Sequence, residues 1–502
     1  MKNHIGNLLE AVREAGGRAR AHAFPPKDGI EEPLLRREVF SSDQMEEHGK
    51  TLASSHAVSL QPMTDRLLGR LSSNEAVLLE TCSLLTDAVN AGQTVTPAGE
   101  WLLDNFYLIE QKIREARRHL PKGYSRTLPR LKYGPSAGLP RVYDIALEAI
   151  SHGDGRVDAE SFSRFVAAYQ TVTTLTLGEL WAIPIMLRLS LLENLRRIAA
   201  RTAAGRRHRS RANFWADQMR EIAERDPKNL ILVIADMARS NPPMASSYVA
   251  ELARRLQNQS PTLALPLSWM EQQLSEVGLT IEQLVEVETQ QQASDQVSVS
   301  NSIGSLRLLE AIDWREFVES LSKVEHVLRQ DPAGAYAKMD FATRDRYRHV
   351  VERVARKSGW TEDDVARQAI VMAREHAHTE AERSRAAHVG FYLVDDGSPE
   401  LERAAGVRRV FYDVLGGEPR QALSLYVGAI IALTAMFTAA LLTQAEASGA
   451  RDWLLSLAGI AAILATSVAS VSIVNWLTTL LVRPYLLPRM DFTRGIPPGS
   501  RT

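Results

Sequence analysis

The chain has 502 residues, a formal net charge of -1 and 45% hydrophobic residues. This near-neutral balance gives no general attraction to nucleic acid, and the hydrophobic content suffices for the cores of several domains. The single cysteine, Cys82, excludes an internal disulfide and a cysteine-based zinc site, which is typical of a reducing compartment. Glu10 and Glu14 interrupt the first residues, and no apolar run of signal-peptide length occurs there, so we expect no cleaved export signal.

The predicted fold is mostly α, a multi-helix soluble domain followed by a two-helix transmembrane hairpin. Residues 1–57 are charged, rich in proline and glycine and weakly periodic, so we predict a flexible lead. An apolar period near 3.6 then predicts a helical domain over 58–290 and a second helical subdomain over 301–415. A polar Gln/Ser tract at 290–305 marks the break between them. Four helix-start signals support this interpretation: Thr96-Pro97, Thr176 with Glu179, Thr280 with Gln283, and Thr361 with Asp364.

Three segments of the first domain need a specific interpretation. Residues 180–192 predict a buried helix, kinked at Pro184, with Arg188 paired to a carboxylate. Residues 205–211, GRRHRSR, predict a basic loop. The segment NLILVIA at 229–235 has the composition of a strand, but its continuation as DMAR favours a buried helix.

Two uncharged runs near the C-terminus, 423–443 and 453–482, are long enough to cross a hydrocarbon core. A buried core helix is the alternative for either run, but two adjacent runs favour a membrane hairpin. The flanks carry arginines: Arg403, Arg408, Arg409 and Arg420 before the first run, and Arg483, Arg489, Arg494 and Arg501 after the second. Because cations stay on the cytoplasmic side, we expect a large cytoplasmic N-terminal portion, an external loop at 444–452 and a cytoplasmic tail over 483–502. The predicted location is therefore a membrane.

Within the hairpin, Asn475 is the polar residue of interest. It either lines a path or, as we favour, hydrogen-bonds a neighbouring helix. Small residues form a stripe on each run: Gly428, Ala432, Ala435 and Ala439 on the first, and Ala458, Ala462, Ala465, Ala469 and Ser472 on the second. We predict that these faces meet each other or further membrane spans.

Three groups of residues are candidates for chemistry or binding. Asp395-Asp396, in VDDGS, resembles the acidic segment of nucleotide-sugar glycosyltransferases, but helical patterns precede it and an acidic turn is favoured. His376, His378 and His388 lack an HExxH spacing, so solvated or capping histidines are favoured over a metal site. Arg206, Arg207, Arg209 and Arg211 form either a solvated loop or a contact with anionic lipid. We therefore predict no catalytic residue, no metal and no cofactor, with the lipid bilayer as a partner and no nucleic acid.

Several long blocks resemble one family, the bacterial cyclic beta-1,2-glucan synthases, in their N-terminal region. The blocks are 96–131, 138–144 (GLPRVYD), 176–198, 299–315, 331–350, 388–393 (HVGFYL) and 491–498 (DFTRGIPP). The resemblance covers most of residues 35–502, the hairpin included. It implies a very large inner-membrane enzyme that polymerises glucose from UDP-glucose into a beta-1,2-linked chain, then cyclises and trims it.

In that family the glycosyltransferase and phosphorylase-like modules follow the region that resembles this chain, so no catalytic residue is carried over to it. One interpretation is a scaffold and membrane anchor of such a synthase, as a fragment, a split gene or a degenerate copy. The alternative is a self-standing membrane protein that binds a partner, for instance a glycosyltransferase module or the growing glucan. A glycosyltransferase activity resting on Asp395 and Asp396 is the third and least favoured.

Overall fold

The computed structural model describes residues 35, 37–59, 65–120, 123–257, 259–377, 385–407, 419–448, 452–481, 487–493 and 495. It is 78% helical with almost no strand, which confirms the predicted fold class. The chain divides into two compact units, one ending at Ser322 and the other beginning at Lys323.

The described part of the first unit contains twelve α-helices and one two-stranded sheet. The helices are α1 (Ser42–Ser55), α2 (Leu67–Asn90), α3 (Pro97–Asp104), α4 (Phe106–His119), α5 (Arg141–His152), α6 (Ala159–Val172), α7 (Leu177–Arg225), α8 (Leu230–Arg239), α9 (Ser246–Leu256), α10 (Ala264–Ser275), α11 (Ile281–Ala311) and α12 (Trp314–Leu321). Strand β1 (Val58–Ser59) pairs antiparallel with β2 (Arg130–Leu131), with Val58 opposite Leu131. Three short 3-10 helices lie at Tyr124–Thr127, Pro227–Asn229 and Pro261–Leu263.

The described part of the second unit contains seven α-helices. They are α13 (Lys323–Leu328), α14 (Phe341–Ser358), α15 (Glu362–Ala377), α16 (Val389–Val394), α17 (Ser398–Ala404), α18 (Pro419–Ala447) and α19 (Asp452–Leu481). Two further 3-10 helices lie at Tyr336–Lys338 and Arg385–Ala387. Helices α13 to α17 enclose a core of their own, which includes Tyr336, Val351, Val365 and Tyr392.

Helix α7 is the long axis of the first unit. Its 49 residues span about 74 Å at 1.5 Å per residue. The predicted capping box starts it, because Thr176 accepts from the Glu179 amide while the Glu179 carboxylate accepts from the Thr176 amide at 2.9 Å. Its first half lies in the main core with α2, α5 and α11, and its second half packs with α8, α9 and α10. Pro184 lies within the continuous helix, and Arg188 faces Glu115 at 3.9 Å, which confirms the predicted carboxylate partner.

A buried carboxylate on α7 fixes its neighbour α2. Glu193 is fully buried and accepts from Arg70 at 2.8 Å and from Asn74 at 2.9 Å, both on α2. Arg196 and Arg197, one turn further along α7, also donate to it, at 2.8 and 3.0 Å. Burial alone raises the pKa of Glu193, but the arginines outweigh it and lower the pKa to about 2. The carboxylate is therefore charged and satisfied inside the core.

The predicted break at 290–305 is wrong, because this tract lies inside the continuous helix α11. Three of its serines, Ser298, Ser302 and Ser305, are buried. Asn194 on α7 donates to Ser298 and Ser302 at 3.1 and 3.0 Å, and Ser305 donates to the Gly155 carbonyl at 2.9 Å. A Cβ on Gly155 would lie 2.4 Å from Ser302 Oγ, so a larger residue does not fit there. Small polar side chains thus let α11 approach its neighbours closely.

The flexible lead predicted over 1–57 is wrong for Ser42–Ser55, which form α1; residues 1–34 and 36 lie outside the described residues. A capping box between Ser41 and Gln44 starts this helix. Gly49 lets it pack against α6, since a Cβ there would lie 2.9 Å from the Phe165 carbonyl oxygen. The segment 229–235, in contrast, enters helix α8 as predicted. The predicted burial is wrong for Ile231 and Leu232, which are exposed.

We predict that Glu193→Gln lowers the free energy of unfolding by about 3 kcal/mol, because it leaves three half-buried arginines without their counter-charge. Glu47→Gln is the matched control, since Glu47 is exposed and forms a surface pair with Lys50 at 3.1 Å. We expect that control to change stability by no more than about 0.5 kcal/mol. Urea unfolding of the full chain in detergent, followed by tryptophan fluorescence, measures both. Equal stability of the two variants would contradict the prediction.

The difference in unfolding free energy between the wild-type chain and Glu193→Gln depends on pH in a defined way. The folded-state pKa of Glu193 lies below its ordinary value of 4.5, at about 2. Its contribution is therefore complete above pH 4.5 and is lost as the pH falls from 4.5 towards 2. The stability difference between the wild-type chain and Glu193→Gln should shrink over this window.

Candidate functional site

Helices α18 and α19 form an antiparallel hairpin whose surface is apolar. The apolar stretches Leu423–Ala447 and Leu455–Leu480 are long enough to cross a membrane, and only 6% and 17% of their most apolar windows are buried. Ile431, Leu464 and Val468 are each more than 60% exposed. A core helix of a soluble domain would be covered by protein, so this exposure favours the membrane over the alternative. The first helix runs to Ala447 rather than 443.

Hydroxyl and amide groups join the two helices. Thr438 and Thr466 are buried against each other, with their hydroxyl oxygens 2.9 Å apart. Nearer the domain side, the Tyr426 hydroxyl donates to Asn475 Oδ1 at 2.6 Å. This contact agrees with the favoured interpretation of Asn475 as a partner of a neighbouring helix. Such bonds satisfy polar groups that lipid cannot.

The predicted packing of the small-residue stripes against each other is wrong. Gly428, Ala432, Ala435 and Ala439 are exposed, as are Ala458, Ala465, Ala469 and Ser472, and only Ala462 of the two stripes is half-buried. The helices meet instead along Tyr426, Ile430, Thr434, Thr438 and Leu442 on α18, and Gly459, Ala462, Thr466, Ser470 and Val474 on α19. On α19 this seam also consists of small residues, and the threonine pair joins the two helices across it. Contact of the stripes with further spans stays a prediction.

The segment after the second helix returns to the helical part of the second unit. Met490 forms an antiparallel bridge with Met339. The amide of Asp340 donates to the Arg489 carbonyl at 2.9 Å, and the Asp491 amide donates to the Lys338 carbonyl at 2.8 Å. The Arg489 amide also donates to Thr343 Oγ1 at 3.0 Å. Residues after the hairpin therefore contact residues before it, which requires both ends of the hairpin to lie on one side of any membrane it crosses.

The predicted acidic turn is observed. Asp395 and Asp396 are exposed and lie between α16 and α17, where the Ser398 amide donates to the Asp395 carbonyl. A helix, Val389–Val394, precedes them in place of the strand that a nucleotide-sugar transferase motif would need.

The histidines of the second unit have separate structural partners. His388 Nδ1 lies 2.8 Å from Asp331, a buried carboxylate that also accepts from the Val389 amide. Burial raises the pKa of Asp331, but these hydrogen bonds outweigh it and lower the pKa. His376 Nδ1 lies 2.8 Å from the Tyr392 hydroxyl. His378 lies outside the described residues, and His376 and His388 form no common ligand set among those described.

The predicted basic loop at 205–211 is wrong, because these residues belong to α7. Arg206 is buried, Arg209 donates to Glu288 at 3.1 Å and Arg211 donates to Ser240 Oγ at 3.1 Å. The helix turns these three side chains towards protein and leaves Arg207 exposed. Contact of the four arginines with anionic lipid stays a prediction. Of the four, the exposed Arg207 is the one best placed to make it.

The structure also assembles a group that the sequence interpretation missed. His48, Glu148 and His152 place one ligand atom each within 4.8 Å of one another, and no other such group occurs in the described part of the chain. Glu148 and His152 are four residues apart on α5, and the sequence alone could have shown that this spacing places them on one helix face. His48 lies 100 residues earlier, in a segment predicted to be flexible.

Fold and site together define a helical protein with a hairpin of two apolar helices that could cross a membrane. No known protein-family model matches the chain. It is similar to the cyclic beta-(1,2)-glucan synthase NdvB of Rhizobium meliloti (strain 1021), with 31% identity over 478 residues. The match covers 93% of this chain and 16% of that synthase. The predicted resemblance to cyclic glucan synthases is thereby confirmed for one region of such an enzyme.

We predict that Met339→Cys with Met490→Cys forms a disulfide in a Cys82→Ser background. The hydrogen bonds flank this pair, so it is a non-hydrogen-bonded pair, in which Cα atoms lie about 4.5 Å apart. Met339→Cys with Asp491→Cys is the matched control, because side chains alternate along an extended segment. Mild oxidation should block labelling of both thiols by a polyethylene glycol maleimide in the first pair, reversibly with reductant. Equal labelling of the two pairs would show that the returning segment does not dock there.

Proposed function

We propose that this chain serves as the helical scaffold and membrane anchor of a cyclic beta-1,2-glucan synthase-like protein. The observation that carries the proposal is the similarity over 93% of this chain to 16% of a much longer synthase. The other parts of that synthase are where we place glucose transfer and product trimming. The apolar hairpin supplies the anchor, and the returning segment 487–493 ties it to α14 and the residues before it.

The described residues offer little to a nucleotide-sugar transferase. That reaction needs a nucleoside pocket, neutralisation of the departing diphosphate and a base near the acceptor hydroxyl. Where the structure describes the chain, its strands are two residues each, so a strand–helix alternation of the kind that binds nucleotides is lacking there. Asp395 and Asp396 sit in an exposed turn between helices. We therefore assign transfer to a partner module and not to these carboxylates.

We also propose an orientation, with the helical units and the tail in the cytoplasm and residues 444–452 outside an inner membrane. The arginine-rich flanks support it, since cations are retained on the cytoplasmic side. The contact of Met490 with Met339 supports an even number of crossings.

The orientation predicts selective labelling in a Cys82→Ser background. Ser448→Cys should react with an impermeant maleimide in intact cells, because it lies at the external end of α18. His349→Cys, on the exposed face of α14, should react only after lysis. The reverse pattern, or a reporter fused after Thr502 that works only in the periplasm, would overturn the orientation.

The scaffold function predicts dependence on a partner module. Membranes holding the chain alone should release no UDP from UDP-glucose with magnesium or manganese. Membranes that also hold a synthase deprived of its equivalent region should form labelled glucan only when this chain is added. Asp395→Ala should support synthesis as well as the wild type, whereas a chain with 419–486 replaced by a flexible linker should not.

Three outcomes would contradict this proposal. Turnover by the chain alone that disappears in Asp395→Ala would make the chain a transferase. Equal synthesis with and without residues 419–486 would remove the anchoring function. Failure of the wild-type chain to restore synthesis, although it is present in the membrane at normal levels, would reject the scaffold function.

A further inference from the structure

A carboxylate on α5 lies between two imidazole rings. His48 Nε2 is 3.1 Å and His152 Nε2 is 3.5 Å from the same oxygen of Glu148, Oε2. Ligands bound to one tetrahedral zinc ion at 2.0–2.1 Å lie about 3.3 Å apart. The two distances to Glu148 are close to this value, and all three ligand atoms lie within 4.8 Å of one another.

The ring of His152 is held in one tautomer. Its Nδ1 lies 2.7 Å from the backbone carbonyl oxygen of Glu38. A carbonyl only accepts, so Nδ1 carries the hydrogen and the neutral ring has its lone pair on Nε2. Phe40 stacks on the ring at 3.9 Å and fixes its plane. A carbonyl acceptor behind the distal nitrogen is the arrangement that orients histidine ligands in metal sites.

The other nitrogen of this ring has no hydrogen bond. His152 is 5% exposed, and its Nε2 is buried without a hydrogen-bond partner. With Nδ1 protonated, the neutral ring turns the lone pair of Nε2 towards the carboxylate of Glu148, and a cation bound between these two groups would satisfy both.

One of the three side chains borders a cleft. The cleft has a volume of about 490 Å³ and is lined by His152 together with Phe40, Ser42, Met45, Asp158 and Ser161. Three protein ligands leave a fourth coordination position for water, as in zinc sites that are not fully closed by protein. Two imidazoles and one carboxylate suit Zn²⁺ and related divalent transition metals rather than Mg²⁺ or Ca²⁺.

We propose that His48, Glu148 and His152 bind a divalent transition-metal ion of the Zn²⁺ type. Bound there, the ion links α1 to α5 and fastens the first helix that the structure describes. Arg37, whose Nη1 donates to both Glu148 oxygens at 2.9 and 2.8 Å, holds the carboxylate when the ion is absent. Arg37 is therefore a competitor of the metal. This site is independent of the scaffold function proposed above.

Zinc titration of the full chain in detergent, after chelator treatment, tests the proposal. A chromogenic chelator measures affinity, elemental analysis measures stoichiometry, and circular dichroism confirms that each variant is folded. We expect one ion per wild-type chain and a higher midpoint of thermal unfolding with Zn²⁺ than without. His48→Ala should weaken binding by on the order of 100-fold and abolish the thermal shift. Excess Mg²⁺ should not displace the zinc.

Two further variants separate metal binding from a hydrogen-bonded triad. Arg37→Ala should tighten zinc binding, because it removes the competing cation, whereas a merely structural role of Arg37 would leave zinc affinity unchanged. His349→Ala is the matched control, since His349 also lies beside a carboxylate, Asp345, at 3.4 Å but on an exposed surface. It should bind zinc like the wild type. Equal zinc affinity of the wild type and His48→Ala would overturn the proposal, and the triad would then be a hydrogen-bonded contact only.

Discussion

A helix of 49 residues depends on what packs along it, because most helical stability in proteins comes from tertiary packing rather than from propensity. In α7 the first half is apolar on nearly every face, from Leu177 to Ala199, and the main core of the first unit encloses it. The second half is charged, and its narrower apolar stripe of Ala212, Ala216 and Met219 holds the smaller helices α8 to α10. One continuous helix thus organises two cores.

Buried ion pairs position the helices around this axis. Glu193 holds α2, and Glu179 receives both a 2.8 Å and a 2.6 Å hydrogen bond from Arg141 on α5. In the second unit, Glu325 accepts from Arg348 and from the Tyr336 hydroxyl at 2.6 Å each. Charged pairs of this kind add little net stability compared with apolar packing, but separating them is costly. Their contribution is to restrict the helices to one arrangement.

The hairpin of α18 and α19 is held together by different interactions from those of the helical units. Within lipid, apolar contact between helices gains little, so a hairpin that crosses a membrane relies on close fit and on hydrogen bonds such as Thr438–Thr466 and Tyr426–Asn475. Its outer faces carry both large apolar side chains and the small-residue stripes. Another membrane span can approach closely only over the small residues, whereas lipid tails can contact both the small residues and the large apolar side chains.

Local signals in the sequence determined the helix starts and the apolar spans. Thr96, Thr176, Thr280 and Thr361 each precede a helix as predicted. The last three cap an amide three residues further on, whereas Thr96 makes no cap hydrogen bond and is followed by Pro97 at the first helical position. Uninterrupted hydropathy likewise identified α18 and α19, since the length of an apolar run is a property of the run alone. Tertiary structure decided what polar segments do. The arginines at 205–211 and the serines at 290–305 look solvated in sequence, yet Arg209, Arg211, Ser298 and Ser302 find partners inside the protein in Glu288, Ser240 and Asn194. Tertiary structure also decided the surroundings of His48, since its neighbours Glu148 and His152 lie at least 100 residues later in the chain, on α5. A hydrogen bond or ion pair depends on distance in space, and only the packed helices bring those atoms within reach.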